Sequence, residues 1–149
     1  MEYLMTYGWA ILIIAVVMGV LFETGFFSPG SAASQFCQLE SGFTCSNYYL
    51  LQNGLLTVSI LQDTSSPLNI TAIGCNTNTT SISMTPVSPQ VTLLVGVNST
   101  FNVQCKTGAS SFYGQVNQPY TGYLQINYTD LTTGFPQVIF GNINVKVAR

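Results

Sequence analysis

Hydrophobic and polar positions change period once along this chain. Residues 3–22 carry no charge, and Glu2 and Glu23 bracket the run. A stretch that is apolar on every side predicts a helix that must be buried all round, in lipid or among other helices. As a helix it would rise about 30 Å, the thickness of a bilayer's hydrocarbon core. Pro29 and Gly30, within the segment 26–34, break the helical pattern. Beyond them the period becomes two. Leu56, Val58 and Ile60 alternate with Thr57 and Ser59, and Leu68, Ile70 and Ala72 with Asn69 and Thr71. Val91, Leu93 and Val95 precede turn chemistry at Gly96, Val97, Asn98 and Ser99, and Phe101, Val103 and Cys105 follow it. Leu124, Ile126 and Tyr128, then Ile143, Val145 and Val147, complete the series. Short alternating runs punctuated by Gly, Pro and Asn predict an antiparallel sandwich or barrel.

The expected fold class is therefore α+β: a long hydrophobic N-terminal α-helix followed by an antiparallel β-sandwich-like globular head. The expected domains are a membrane or filament-core helix over 1–27, a hinge over 28–36 and an extracellular β head over 37–149. Phe26 and Phe27 at the hinge read equally well as packing contacts or as incidental linker aromatics. No internal repeat is visible.

Three readings of the helix compete. A cleaved secretory signal needs a basic start and a short apolar core. Here the start is Met1-Glu2, and no Lys or Arg precedes Lys106. A plain membrane anchor is the default for such a run. A helix that packs against copies of itself is favoured by its small residues. Gly8, Ala15 and Gly19 fall on one side, and Ala15 with Gly19 forms a small-xxx-small pair that lets backbones approach closely. Leu12, Ile13, Ile14, Val16, Val17 and Val20 cover the rest.

The segment Glu2-Tyr3-Leu4-Met5-Thr6-Tyr7-Gly8-Trp9-Ala10-Ile11-Leu12-Ile13-Ile14 closely resembles the N-terminus of archaeal type IV pilins. The resemblance covers about the first 22 residues and does not extend in detail to the head. It implies a subunit processed by a prepilin peptidase, held in the membrane, and added to a pilus by an assembly ATPase and a platform protein. The helix, with Glu2, Tyr3, Tyr7, Gly8, Trp9, Leu12, Ala15, Gly19 and Phe22, would form the filament core, and the β heads an outer sheath. Family members often carry a glutamate at the fifth mature position, thought to balance a neighbouring subunit's N-terminal amine. This chain has its glutamate at position 2. A carboxylate there suits a helix N-terminus, and in a dry core it would need such a partner.

Composition narrows the chemistry. Only 5% of residues are charged, there is no histidine, and the net charge is −2. That excludes a basic nucleic-acid footprint. Ser, Thr, Asn and Gln dominate the polar positions of the head, yet aromatic and β-branched residues are abundant enough to exclude disorder. Without histidine, Ser-His-Asp and Cys-His arrangements are impossible within the chain. Glu23, Glu40, Asp63 and Asp130 are not paired at motif spacing, and no phosphate loop or calcium loop appears. No enzymatic activity, cofactor or metal is expected.

The four cysteines, Cys37, Cys45, Cys75 and Cys105, all lie in the head. An even count in a secreted β domain reads as two disulfides with three possible connectivities. The short loop between the first two suggests Cys37–Cys45 and leaves Cys75–Cys105. A Cys₄ zinc site lacks its CxxC pairs. Sequons at Asn69, Asn78, Asn98 and Asn127 mark expected N-linked glycans, since each falls on the polar side of a strand or in a turn. Tyr48, Tyr49, Phe112, Tyr113, Tyr120 and Tyr123 read as β core or subunit interface rather than as an adhesive loop. The expected function is the major subunit of an extracellular, adhesive type IV pilus, with copies of itself as partners and the membrane as its place before assembly. The alternatives are a membrane-anchored cell-surface binding module, or a minor pilin or archaellin-like subunit.

Overall fold

The computed structural model describes residues 2–23 and 34–149, with side chains from residue 7 onward in the first stretch. The side chains of Glu2 and Tyr3, together with Phe26, Phe27 and the part of the expected hinge at 28–33, lie outside the described residues. The chain divides into two units, Met1–Ala33 and Ser34–Arg149.

In the first unit, α1 spans Glu2–Glu23. Among the described residues no helix is long and apolar enough to cross a membrane. The expectation of a transmembrane helix is corrected on that ground.

The second unit is built from strands β1 (Phe36–Leu39), β2 (Phe43–Leu51), β3 (Leu55–Gln62), β4 (Leu68–Asn76), β5 (Thr85–Leu93), β6 (Asn98–Thr107), β7 (Ser110–Ser111), β8 (Pro119–Asp130) and β9 (Pro136–Ala148). A single 3₁₀ turn, Thr79–Ser81, lies between β4 and β5. The strand order is β5-β4-β8-β9-β2-β3-β6-β7, with β4 also paired to β6 and β1 to β9. Six strands, β4, β8, β9, β2, β3 and β6, thus return on themselves as a closed barrel.

This corrects the α+β, sandwich-like expectation. The chain is mostly β, with 57% strand against 15% helix, and its sheet is closed. Two antiparallel halves, β4-β8-β9 and β2-β3-β6, do face each other, but both seams between them are bonded. At one seam β2 runs parallel to β9 through Leu50 opposite Val147 and Leu51 opposite Ala148. At the other β4 runs parallel to β6 through Cys75 opposite Cys105 and Asn76 opposite Lys106. The physical reason is that an open sandwich leaves rows of unpaired N–H and C=O groups at its edges, and closure satisfies them.

The barrel is filled by the residues that the period of two selects. Leu56, Val58 and Ile60 from β3, Leu124 and Ile126 from β8, and Phe101, Val103, Ile143, Val145 and Val147 belong to one buried core, all at most 5% exposed. Two runs depart from the expected phase. A register shift between Ile70 and Ala72 in β4 turns Ile73 and Cys75 inward in place of Ala72. β5 ends at Leu93, and Leu94 and Val95 are exposed in the turn closed by Val97 N–H donating to Leu94 O at 3.0 Å. Gly96 there has φ of 74°, a left-handed conformation that glycine adopts at little cost.

Asn76 locks the second seam. It is fully buried, and all of its amide hydrogen-bonding capacity is used. Nδ2 donates to Ser81 O at 2.7 Å and Gly108 O at 2.8 Å, while Oδ1 accepts from Gly108 N at 3.0 Å and Asn78 N at 3.2 Å. These bonds fasten the loop after β4 to the β6–β7 turn. Asn76→Ala strands four polar groups and is expected to lower the free energy of unfolding by about 2–4 kcal/mol. Urea denaturation of the variant checks this, and a loss below about 1 kcal/mol would show that water replaces the amide.

Candidate functional site

The first candidate site is the surface of α1. Ile11, Leu12, Val16 and Val17 are exposed along it, as are Trp9 (66%) and Tyr7 (60%). Apolar side chains therefore occupy every side of the described helix. A Cβ added at Gly8 or at Gly19 would meet no atom within 4 Å. Neither glycine is required by crowding within the chain.

The second comprises the disulfides and sequons of the barrel. The cysteines form Cys37–Cys45 and Cys75–Cys105, with Cα separations of 5.9 and 4.5 Å. The first ties β1 to β2, and the second staples the parallel β4–β6 seam. The four sequon asparagines do not form one cluster by register. Asn69 and Asn127 are half-buried on β4 and β8. Asn69 Nδ2 donates to Gln90 Oε1 at 2.6 Å, and Asn127 Oδ1 accepts from Gln125 Nε2 at 3.2 Å. Asn78 is exposed beside the 3₁₀ turn, where its Oδ1 accepts from Thr80 N at 3.0 Å and Thr80 Oγ1 at 2.9 Å. Asn98 is exposed at the start of β6, where its Oδ1 accepts from Ser59 Oγ at 2.8 Å and its Nδ2 donates to Ser46 Oγ at 2.8 Å.

The aromatic residues separate into two groups. Phe112 and Tyr120 are buried, with ring centroids 4.6 Å apart. The Tyr120 hydroxyl donates to Lys106 O at 2.9 Å, and burial raises its pKa. Tyr49, Tyr113 and Tyr123 are exposed.

Among the described residues no group of three or more His, Cys, Asp and Glu could hold a metal ion. Asp130 has a structural task at the β8–β9 turn. Its Oδ1 accepts from Thr132 N at 2.7 Å and Thr133 N at 3.3 Å, and its Oδ2 from Ser66 Oγ at 2.9 Å. The Thr132 N–H foremost, with Ser66 and Thr133 assisting, holds the carboxyl below its ordinary value of 3.8 against partial desolvation. A lowered folded-state pKa stabilises the fold above the ordinary value and loses that contribution as pH falls through the lower one. Wild type is thus expected to lose more stability than Asp130→Asn on acidification below about pH 4. Urea midpoints of both proteins across the acid range check this, and parallel acid limbs would contradict it.

Sequence reasoning anticipated both disulfides but missed Asn76, whose fourfold engagement depends on a turn distant in the chain. No family model matches the chain, and no curated protein matches it.

Proposed function

We propose that this chain is a structural subunit of an extracellular filament of the type IV pilus class, polymerising through α1 and presenting its barrel outward. The observation that carries the reading is the all-round apolar surface of α1 in a unit separate from the barrel. Such a surface has to be covered, and further copies of the same helix cover it in a helical polymer. A heterologous contact that does not close yields a filament rather than a ring. The likeness of residues 2–14 to archaeal type IV pilins supports the same reading and adds an assembly ATPase and platform protein as partners. Two disulfides, full barrel closure and glycans at Asn69, Asn78, Asn98 and Asn127 suit an exposed fibre, because each restrains or shields backbone. The proposed role is adhesive and structural, with no catalytic step.

Mechanical shearing of cells that express the chain tests the proposal. A filament subunit leaves with the sheared, sedimentable polymer. Recovery of the chain only in the cell pellet would favour a permanently anchored surface module and overturn the filament reading.

A further inference from the structure

The outer face of β2, β3 and β6 holds a shallow basin of about 300 Å³ lined by Asn47, Tyr49, Thr57, Ser59, Asn98 and Thr100. Register builds it in two rows. Asn47 lies opposite Ser59 and Ser59 opposite Thr100, while Tyr49 lies opposite Thr57. The floor is braced from within. Ser59 Oγ donates to Asn98 Oδ1 at 2.8 Å, Thr100 Oγ1 donates to Ser59 Oγ at 3.3 Å, and Thr57 Oγ1 donates to Asn102 Oδ1 at 2.8 Å. The rim is different. Asn47 and Tyr49 are exposed, and neither side chain has a hydrogen-bond partner among the described residues.

We infer that this basin is a binding site for a neutral saccharide ring. Its chemistry excludes the other small-ligand classes. No acidic or basic side chain lines it, so a charged ligand would be desolvated without compensation. An apolar ligand would strand the Asn47 amide at the rim. What remains is a neutral molecule with several hydroxyls and one apolar face. The hydroxyls meet the amide of Asn47 and the pre-positioned Ser, Thr and Asn groups, and the C–H face lies against the Tyr49 ring. The volume is at the small end for a ligand site, which suits one ring rather than a long chain. Braced floor groups bind with less ordering cost than free ones. The same chemistry has two sources, a sugar from solution or another surface, and the sugar of a glycan linked to Asn98 at the basin's edge. The inference does not depend on polymerisation.

The test uses the full chain, made without glycosylation in an oxidising compartment and held in amine-oxide micelles, which contain no sugar. Isotope-edited NMR follows titration with glucose, galactose, mannose and N-acetylglucosamine, and with glucuronate as the charged control. The expected result is saturable shifts confined to β2, β3 and β6 for at least one neutral sugar, and none for glucuronate. Tyr49→Ala should weaken binding about tenfold and Tyr49→Phe should retain it, because the ring rather than the hydroxyl makes the stack. Unchanged resonances elsewhere in the barrel establish that the variants fold. In chain glycosylated at Asn98, proton contacts between the linked sugar and the Tyr49 ring would identify the tethered source. Absence of both saturable shifts and those contacts, or binding unchanged in Tyr49→Ala, overturns the assignment.

Discussion

Gly8→Leu and Gly19→Leu are each expected to abolish filaments while leaving the barrel's unfolding temperature unchanged. Within one chain neither substitution meets an obstacle, since an added Cβ has open space at both positions. Leucine is also a better helix former than glycine, which lies roughly 0.8–1 kcal/mol below alanine, so α1 itself is strengthened. The harm arises only where another backbone approaches. Helices drawn from an apolar surrounding gain little hydrophobic energy from association, so contact geometry decides whether they pack. Gly8, Ala15 and Gly19 share one side, and a leucine there holds a neighbouring helix away. Electron microscopy of sheared material and calorimetry of the purified chain check the two halves of the prediction. Normal filaments from both variants would dispose of close packing through this side of α1.

Removing the Cys75–Cys105 bridge by a double alanine substitution is expected to cost about 3–4 kcal/mol, a fall in melting temperature on the order of 10–20 °C. The bridge closes a sequence separation of 30, against 8 for Cys37–Cys45. Chain entropy alone therefore makes it the larger contributor. It also sits where β4 and β6 pair over only two residues, Cys75 with Cys105 and Asn76 with Lys106. Without the covalent link that seam relies on Asn76 and a few backbone bonds. The loss should exceed that of the Cys37/Cys45 double variant, and amide exchange should rise first along β4 and β6. An equal or smaller loss, or exchange spread evenly over the barrel, would show that closure does not depend on the bridge.

The strands of this protein are legible where alternation is uninterrupted. β3, β6, β8 and β9 each turn the expected residues inward, from Leu56 to Val147. β2 escapes notice because its register shifts between Cys45 and Asn47, and because Tyr48 and Tyr49 adjoin without a polar spacer. The first half of β5 is obscured by Pro86 and Pro89, residues that sheets tolerate at edges. Closure itself is invisible to a local pattern. Each seam is a parallel pairing of two residues between strands far apart in the chain, and no hairpin signal accompanies it. The same holds for the candidate sites. The apolar run and the sequons can be read directly, but the basin at Asn47 and Tyr49 exists only once three strands lie side by side.

In the proposed filament α1 is the assembly element and the barrel the exposed surface. Electron cryomicroscopy of filaments sheared from the cell surface, with mass spectrometry of the same fraction, tests it most directly. The account predicts filaments composed mainly of this chain, with α1 helices bundled at the axis and barrels on the outside. Filaments with barrels at the axis and α1 facing solvent, or a sheared fraction without this chain, would contradict it.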